Sequence, residues 1–258
     1  RFKKGDIPLA GAEGFIRQII GWREYINGLY WFFGDLYRAE NGLAATRPLL
    51  PLFEDSTKTK MNCVSTNVRD IEARAWVHHI PRLMVLSNLA LITGTSPQEF
   101  LDWMRRSFID AADWVMVPNV IGMSLHADGG KLATKPYASG GSYISKMSNY
   151  CKSCPFDPKK RVGEDACPFT TLYWDFLARH RDRFGAQADA FEAFDVDAAG
   201  DLLGERGQPF LGGGDPRRGQ RQAGQVRLLA SVERGQRMHQ RFVVEQLRAV
   251  VGAEARTG

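Results

Sequence analysis

The sequence lacks any apolar run long enough to cross a membrane. Its longest near-apolar stretch is Leu83 to Ile92, whereas a spanning helix needs about 20 apolar residues. Arg1 opens a polar, basic stretch with no hydrophobic segment behind it, so no secretory signal is visible. We therefore expect a soluble, cytoplasmic protein. The start also lacks Met, which is typical of a fragment or of a processed chain.

Patterns of β-strands are scarce as well. Few alternating, β-branched runs occur, so we predict a mainly α fold. Apolar side chains recur at helical spacing from Gly11 to Phe33. Asn67, with Asp70 three residues later, resembles a helix start. This helix should run towards Gly94, with a kink or an interruption at Pro81.

Two later segments carry helix signals. Ser96-Pro97-Gln98-Glu99 predicts a helix start, with Ser96 as the N-cap, Pro97 in the first turn and Glu99 closing a capping box. Another helix is expected from about Phe169 to Arg183.

Between Pro118 and Tyr150 the helical spacing fails, and Gly, Asn and Asp accumulate. A long irregular segment in a compact domain is usually functional or disordered. Aromatic and cationic residues are interleaved in it: Tyr137, Tyr143, Tyr150, Lys135, Lys146 and Lys152. Such side chains suit stacking on bases and contact with phosphates. The alternative is an ordered surface loop with ordinary tyrosine packing.

The chain contains no lysine beyond Lys160, and arginine replaces it as the basic residue there. Residues 200–221 are rich in Gly and Arg, which predicts a linker or a disordered segment, and residues 226–251 could form a helix or two. We place a boundary near residue 187, between a domain of residues 1–187 and a divergent, poorly ordered tail of residues 188–258. The net charge of +5 and the pI of about 9.1 suit a polyanionic partner such as DNA.

Cysteine is also scarce, with four residues in the chain: Cys63, Cys151, Cys154 and Cys167. The last three form a C-x2-C-x12-C pattern. Four thiolates are a complete ligand set for a [4Fe–4S] cluster or a structural zinc ion, and the spacing does not separate the two. Disulfides are disfavoured in the cytosol. Unrelated buried cysteines are the remaining alternative.

Several motifs follow one another in a characteristic order. They are Glu13 to Tyr25, Met61-Asn62-Cys63, His78-His79, Arg82-Leu83-Met84, Pro118 to Met123, Ala127 to Gly130, Lys135 to Ser139 and Tyr150 to Cys154. Together they resemble the bacterial iron–sulfur (6-4) photolyases, the prokaryotic branch of the cryptochromes and photolyases. The resemblance covers roughly residues 7–185. The ordered set is specific, although each motif alone would be weak.

This resemblance implies the helical FAD-binding domain of the photolyase/cryptochrome fold, without the N-terminal α/β antenna domain. It implies a [4Fe–4S] cluster on the four cysteines and light-driven repair of (6-4) photoproducts. The expected partners are FAD and UV-damaged DNA, with no membrane, and we expect a monomer. In that chemistry a reduced, photoexcited flavin passes an electron to the lesion and a histidine supplies a proton.

The resemblance gives catalytic roles to His78, His79, Gln18, Tyr137 and Tyr143. His79 is the expected proton donor with His78 beside it; adjacent helical residues point about 100° apart, so at most one faces a given pocket well. Without the resemblance, a helix-packing histidine would be the better interpretation. Gln18 matches a lesion-side glutamine, whose amide can donate and accept hydrogen bonds. The positions that match lesion-facing residues are Tyr137, Tyr143, Leu83 and Met123.

Cofactor contacts are expected from a second set. Arg82 and Asp110 are candidates for an ion pair beside the flavin, with a surface salt bridge as the alternative. Trp103 matches a tryptophan that passes electrons to the flavin, with a core aromatic as the alternative. The remaining residues expected at the flavin or lesion pocket are Trp22, Arg23, Asn119 and Met123.

The sequence also departs from this family. The Ser/Thr-rich loop that helps to bind the FAD phosphates is missing, along with the α/β domain. Met116 stands where a carboxylate is common, and a thioether cannot relay protons. The stretch Phe53-Glu54-Asp55 lacks an aromatic that the family often carries before Met61-Asn62-Cys63, and Met104 stands where an aromatic is common. Both departures weaken the case for photoreduction through an aromatic chain. After about Phe184 the resemblance ends, which suggests an altered reading frame or a replaced tail.

We therefore predict a (6-4) photolyase in truncated form. One alternative is a cryptochrome-like blue-light sensor that keeps flavin and cluster. The other is a non-enzymatic, zinc-stapled DNA-binding domain. His79 and Gln18 favour repair, and Met116 weakens it.

Overall fold

A computed structural model describes residues 1–188, with side chains for residues 1–184. This part of the chain is helical and contains no β-strand; two isolated bridges pair Arg47 with Thr95 and Asp157 with Ala166. The predicted mainly α class is confirmed. Within the same residues, no helix combines the length and the apolar character needed to cross a membrane. The predicted linker at 200–221 and the helices within 226–251 lie outside the described residues.

The chain divides into two compact units, and the described part of the first is Arg1–Gly28. After a 3-10 turn, Phe2–Lys4, helix α1 (Leu9–Ile16) leads into a π-helical segment, Arg17–Glu24. Helix α2 (Tyr25–Phe33) continues without a break. The helix predicted from Gly11 to Phe33 is confirmed, and it begins earlier, where the extended backbone of Pro8 ends.

The second unit, as far as it is described, comprises residues 29–188. Its α-helices are α3 (Asn62–Arg74), α4 (His79–Pro81), α5 (Asn88–Thr93), α6 (Pro97–Ser107), α7 (Asp113–Val117), α8 (Gly141–Met147), α9 (Pro168–Arg179) and α10 (Arg181–Ala188). A π-helical segment, Arg82–Ser87, joins α4 to α5, and another, Pro118–Ser124, follows α7. The 3-10 turns are Asp35–Ala39, Pro51–Phe53, Ser56–Lys58 and Tyr150–Ser153.

The predicted helix start at Asn67 is wrong. Helix α3 begins at Asn62, and Asn67 lies inside it. The Asn67 amide donates to the carbonyl of Cys63 at 2.7 Å, so it bonds back to the preceding turn and does not cap a helix end. Local residue types alone cannot distinguish these two uses of an asparagine side chain.

The single helix predicted from 67 to 94 is interrupted before Pro81. Helix α3 ends at a left-handed residue, Ala75 (φ 52°), and the next helix begins at His79. Pro81 lies in the first turn of that helix, where its missing N–H leaves no hydrogen bond unmade. Gly94, with φ 72°, ends α5 as predicted.

The helix start at Ser96 is confirmed, since its Oγ accepts a hydrogen bond from the N–H of Glu99 at 3.5 Å. The expected capping box is not formed by Glu99, whose carboxylate accepts from the N–H of Leu49 at 2.8 Å. The predicted helix from about 169 to 183 is present as α9 and α10, with a break at His180.

The irregular segment predicted from 118 to 150 is shorter than expected. Its beginning is π-helical and residues 141–147 form α8, which leaves residues 125–140 irregular. Gly122 and Gly141 are helical, and a Cβ on either would lie 2.7 Å from Leu132 or Cys167, respectively. These two glycines therefore permit close packing within helical segments and do not form turns.

The core of the second unit is built around α5, whose residues are all buried. Helix α9 packs against α5, and the π-helical segment 82–87 packs against α3. Phe53, Phe100, Trp103 and Phe108 form an aromatic cluster with centroids 5.1–6.0 Å apart. Burial of an aromatic side chain of this kind stabilises the fold by roughly 2 kcal/mol. The cluster fixes α6 and the segment after it, which carries Asp110.

Candidate functional site

Arg82 and Asp110 form a bidentate ion pair at the start of the π-helical segment 82–87. The two terminal nitrogens of Arg82 donate to the two carboxylate oxygens at 2.8 and 2.9 Å, and Nε donates to the carbonyl of Val77 at 2.8 Å. The Arg82 side chain is 13% exposed and that of Asp110 is 48% exposed. The ion pair itself is confirmed, and its place beside a flavin stays a prediction. Its arginine is mostly buried, whereas its carboxylate is half exposed.

The same guanidinium connects the ion pair to the aromatic cluster. Its central carbon lies 4.1 Å from the ring centroid of Phe108, and that ring lies 6.0 Å from the ring of Trp103. Trp103 is 2% exposed, so it is a core aromatic, as the alternative interpretation held. Its expected role in electron transfer stays a prediction. The fold nevertheless connects Trp103 to the ion pair through one intervening ring.

The two histidines occupy different positions at the start of α4. His78 is the N-cap, and its Nδ1 accepts from the N–H of Ile80 at 3.2 Å. His79 is the first helical residue. Partial burial lowers the pKa of His79 below its usual value, and the nearby His78 and Arg82 lower it further. His79 is therefore mainly neutral at neutral pH.

Many of the predicted site residues lie in π-helical segments. These residues are Gln18, Trp22 and Arg23 in the first segment, Arg82 and Leu83 in the second, and Asn119 and Met123 in the third. A π-helical turn contains an extra residue relative to an α-helical one, and such turns frequently occur at functional sites. The sequence shows no pattern that would have predicted them.

Gln18, Trp22 and Arg23 belong to the first unit. Gln18 and Trp22 are four residues apart, so their side chains leave the helix on the same side. Trp22 is 41% exposed, and Arg23 forms an ion pair with the adjacent Glu24.

Asn119 and Met123 lie in the π-helical segment after α7. The Asn119 amide donates to the carbonyl of Val115 at 2.8 Å. Met123 is buried, as is Met116, the residue found where a carboxylate was expected. A buried thioether at this position packs in the core and offers no acid or base.

Tyr137 and Tyr143 lie on the segment that leads into α8. Tyr137 is half-buried, whereas Tyr143, within α8, is exposed. No hydrogen bond or ring contact joins either tyrosine to His78 or His79 within residues 1–184. The assignment of all four residues to one catalytic site stays a prediction.

Sequence reasoning missed two buried residues that anchor this segment. The amide of Asn88 donates to the carbonyl and the hydroxyl of Ser139 at 2.9 and 3.0 Å and accepts from its N–H at 3.1 Å. Asp128 accepts from the hydroxyl of Tyr37 at 2.7 Å and from the N–H groups of Leu132 and Gly130. An aspartate before two glycines is a turn signal, which could have indicated Asp128.

All four cysteines line one small cavity. Cys63 lies in the first turn of α3, Cys151 lies in the turn Tyr150–Ser153, Cys154 follows that turn directly, and Cys167 is the N-cap of α9. Cys63 and Cys167 are buried, the other two are half-buried, and none forms a disulfide. The rest of the lining is mainly apolar: Met61, Gly141, Ile144, Tyr150, Phe156 and Phe169.

Hydrogen bonds between distant residues join two of the segments that carry the cysteines. The amide of Asn62 donates to the carbonyl of Tyr150 at 2.9 Å and to the hydroxyl of Ser153 at 3.0 Å. This contact holds the start of α3 against the turn that carries Cys151, and Cys63 follows Asn62 directly.

Burial raises the pKa of the Cys63 thiol to about 12, and the other three cysteines contribute to the rise. Burial also raises the pKa of Cys167, against the N–H groups of Phe169 and Thr170, which lower it. Four thiols that line one mainly apolar cavity disfavour negative charge in the absence of a cation. A bound metal reverses this balance because a coordinating thiol loses its proton.

The four thiols do not converge on the position of a single ion. Within the part of the chain that the structure describes, no three His, Cys, Asp or Glu side chains are close enough together to hold one metal ion. A tetrahedral zinc ion requires sulfur atoms about 2.3 Å from the metal.

No known protein family model matches the chain. The chain is 50% identical over 182 residues to a (6-4) photolyase of Agrobacterium fabrum, a match that covers 70% of this chain and 36% of that protein. It is 35% identical over 101 residues to an uncharacterised protein of Acanthamoeba polyphaga mimivirus, covering 39% of this chain and 75% of that protein. The chain thus spans little more than a third of the length of the photolyase that it matches.

Proposed function

Because the chain belongs to the bacterial (6-4) photolyase family, we propose that it serves in the repair of (6-4) pyrimidine photoproducts in DNA. The observation that supports this proposal is the 50% identity to a (6-4) photolyase over 70% of this chain. Repair would proceed in light by electron transfer from reduced FAD, with a [4Fe–4S] cluster on the four cysteines. The proposed partners are FAD and UV-damaged DNA.

The ion pair of Arg82 and Asp110 is suited to hold a flavin cofactor. FAD, when bound, supplies the photoexcited electron. Arg82 fixes both carboxylate oxygens of Asp110, while this carboxylate remains half exposed and can accept further hydrogen bonds from a hydroxyl or an N–H. Phe108 holds the guanidinium from one face, so the carboxylate is presented in a fixed orientation.

His79 is the proposed proton donor. Its lowered pKa means that a small fraction is protonated at neutral pH. A nearby phosphate, from DNA or from the cofactor, would raise this pKa and oppose the effect of Arg82. His78 has a different role, because its Nδ1 caps α4 and fixes the turn from which His79 projects.

The cysteine cavity is the proposed cluster site. Four free thiols line one mainly apolar cavity. Four thiolates are the ligand set that a [4Fe–4S] cluster requires. Cys63, Cys151, Cys154 and Cys167 would hold the cluster. It would join α3, the turn Tyr150–Ser153 and α9.

The first test is anaerobic purification followed by an absorption spectrum and assays of iron, sulfide and flavin. We expect broad absorption near about 400 nm that bleaches with dithionite, about four irons per chain, and a releasable flavin. The loaded protein should then repair (6-4) DNA under blue light and not in the dark. Zinc without flavin would contradict the proposal. Flavin and cluster without repair would instead favour a light sensor.

A further inference from the structure

Gly141 lines the cysteine cavity beside Cys167. It is the first residue of α8 and is buried. A Cβ on Gly141 would lie 2.7 Å from the Sγ of Cys167, 3.0 Å from the Oγ1 of Thr170 and 3.2 Å from the Cβ of Cys167. Non-bonded carbon atoms pack best at about 3.5–4.0 Å, and real Cβ atoms essentially never lie within 3.0 Å of another heavy atom. An added methyl group would therefore overlap the sulfur.

Hydrogen bonds hold the backbone on both sides of this contact. The N–H of Gly141 donates to the Oγ1 of Thr170 at 3.1 Å, and that hydroxyl donates to the carbonyl of Pro158 at 2.9 Å. The N–H of Thr170 donates in turn to the carbonyl of Cys167 at 2.9 Å. Ser142 adds a second bond from α8 to the carbonyl of Pro158 at 3.2 Å. The start of α8 and the start of α9 are thus held at a fixed separation.

The adjacent glycine provides a contrast. A Cβ on Gly140 would lie 3.6 Å from the Cα of Thr170, 3.7 Å from its Oγ1 and 3.8 Å from a ring carbon of Tyr173, all ordinary contact distances. Gly140 has φ −84°, and Gly141 is a helical residue without a positive φ. Backbone conformation therefore does not require glycine at either position, and only Gly141 is required by lack of space.

We propose that Gly141 is a positioning residue of the metal centre. Its missing side chain leaves the space in which the Sγ of Cys167 turns towards the other three thiols. A side chain at residue 141 would displace this sulfur and fill part of the cavity. The inference rests on the proposed function in one respect, namely that a metal group occupies the cavity.

The test compares Gly141→Ala with Gly140→Ala in the full chain. Both variants add one methyl group to neighbouring residues of the same segment. We expect Gly140→Ala to keep the iron and sulfide content of the unsubstituted chain. Gly141→Ala should lose iron to a chelator about 10- to 100-fold more readily, the effect typical of altered support around metal ligands. Equal iron content and equal rates of loss in the two variants would overturn the proposal.

A second measurement separates this inference from the proposed function and from a simple failure to fold. In metal-free protein, thermal unfolding is compared for Gly141→Ala alone and for Gly141→Ala in a Cys167→Ala background. The fall in Tm caused by Gly141→Ala should be at least halved when the sulfur is absent. If Gly141→Ala folds only in the Cys167→Ala background, the overlap with the sulfur is likewise the cause of the instability. An equal fall in both backgrounds refutes the contact. An unsubstituted chain that takes up no metal refutes the proposed cluster and leaves this comparison valid.

Discussion

Arg82 combines two functions that a lysine cannot supply. Its planar group donates two parallel hydrogen bonds to Asp110 and stacks on Phe108. We expect Arg82→Lys to weaken flavin binding about 10- to 100-fold, the loss typical of hydrogen bonds to charged groups. Titration of the flavin-free protein, followed by flavin fluorescence, measures this. Arg74→Lys, in an exposed pair with Asp70, is the control and should change nothing.

His79 should give the proposed repair reaction its dependence on pH. Its pKa lies below the ordinary histidine value, so the protonated donor becomes more abundant as pH falls from about 8 to about 6. Single-turnover repair in light should accelerate over this range. His79→Asn should slow repair by about 10²- to 10⁴-fold and remove the dependence. A profile that is unchanged in His79→Asn assigns the proton to another group.

His126 should make stability depend on pH. It is 4% exposed, lies in the left-handed region (φ 49°), and its Nδ1 has no hydrogen-bond partner among the described residues. Burial lowers its pKa, Arg183 lowers it further, and Asp128 opposes them. The unfolded chain therefore binds a proton more readily. The stabilisation is complete above the unfolded pKa of about 6.5 and declines as pH falls towards the folded value.

We expect Tm to fall between about pH 7 and about pH 5.5, and His126→Asn to reduce this fall. Asparagine tolerates the left-handed backbone, so this variant removes the titrating group without adding backbone strain. Thermal unfolding at the two pH values measures the effect. An equal fall in Tm for the variant and the unsubstituted chain would assign the pH dependence elsewhere.

At the scale of single elements, replacing a glycine with alanine should raise or lower the stability of the protein according to the backbone conformation of that glycine. Gly94 ends α5 with φ 72°, where a side chain is strained. Gly14 lies inside α1 with open space around its Cβ position. Gly94→Ala should destabilise the protein by roughly 1 kcal/mol, and Gly14→Ala should stabilise it by about 0.5–1 kcal/mol. Urea unfolding of both variants measures the two signs, and a shared sign would contradict the assignment.

Helix boundaries could be predicted where a capping residue interacts only with the backbone of its own helix end. Ser96 before Pro97 starts α6 and Gly94 ends α5, because both depend on the backbone within a few residues. Asn67 and Glu99 carry the same kinds of signal and serve other contacts: Asn67 bonds back to Cys63, and Glu99 bonds to Leu49. The Leu49 contact is long-range, so the prediction for Glu99 failed for lack of tertiary information.

At the scale of the whole molecule, the cysteine cavity joins parts of the chain that are far apart in sequence. Asn62 and Tyr150, which meet beside the cavity, are 88 residues apart. A metal centre that closes a loop of this size should stabilise the fold by an amount comparable to a disulfide, about 4 kcal/mol. If the proposed metal centre is present, its removal should therefore lower Tm by roughly 10 °C.

Thermal unfolding before and after treatment with a chelator measures this loss. The matched control is a chain with Cys151→Ser and Cys154→Ser, whose Tm should be low from the outset and insensitive to the chelator. An unsubstituted chain with the same Tm in both states would show that the metal does not tie these segments together.

The sequence by itself determined the helical class, the long helix that ends at Phe33, the set of four cysteines and the pairing of Arg82 with Asp110. These depend on periodicity, on local capping chemistry, or on motifs retained within a family.

The tertiary structure alone decided which distant groups meet. It placed Phe108 between Trp103 and Arg82, anchored the loop of Tyr137 through Asn88, and set Gly141 against the sulfur of Cys167. The physical reason is that close packing and hydrogen bonds between remote residues depend on how the helices are arranged. No pattern within one segment encodes that arrangement.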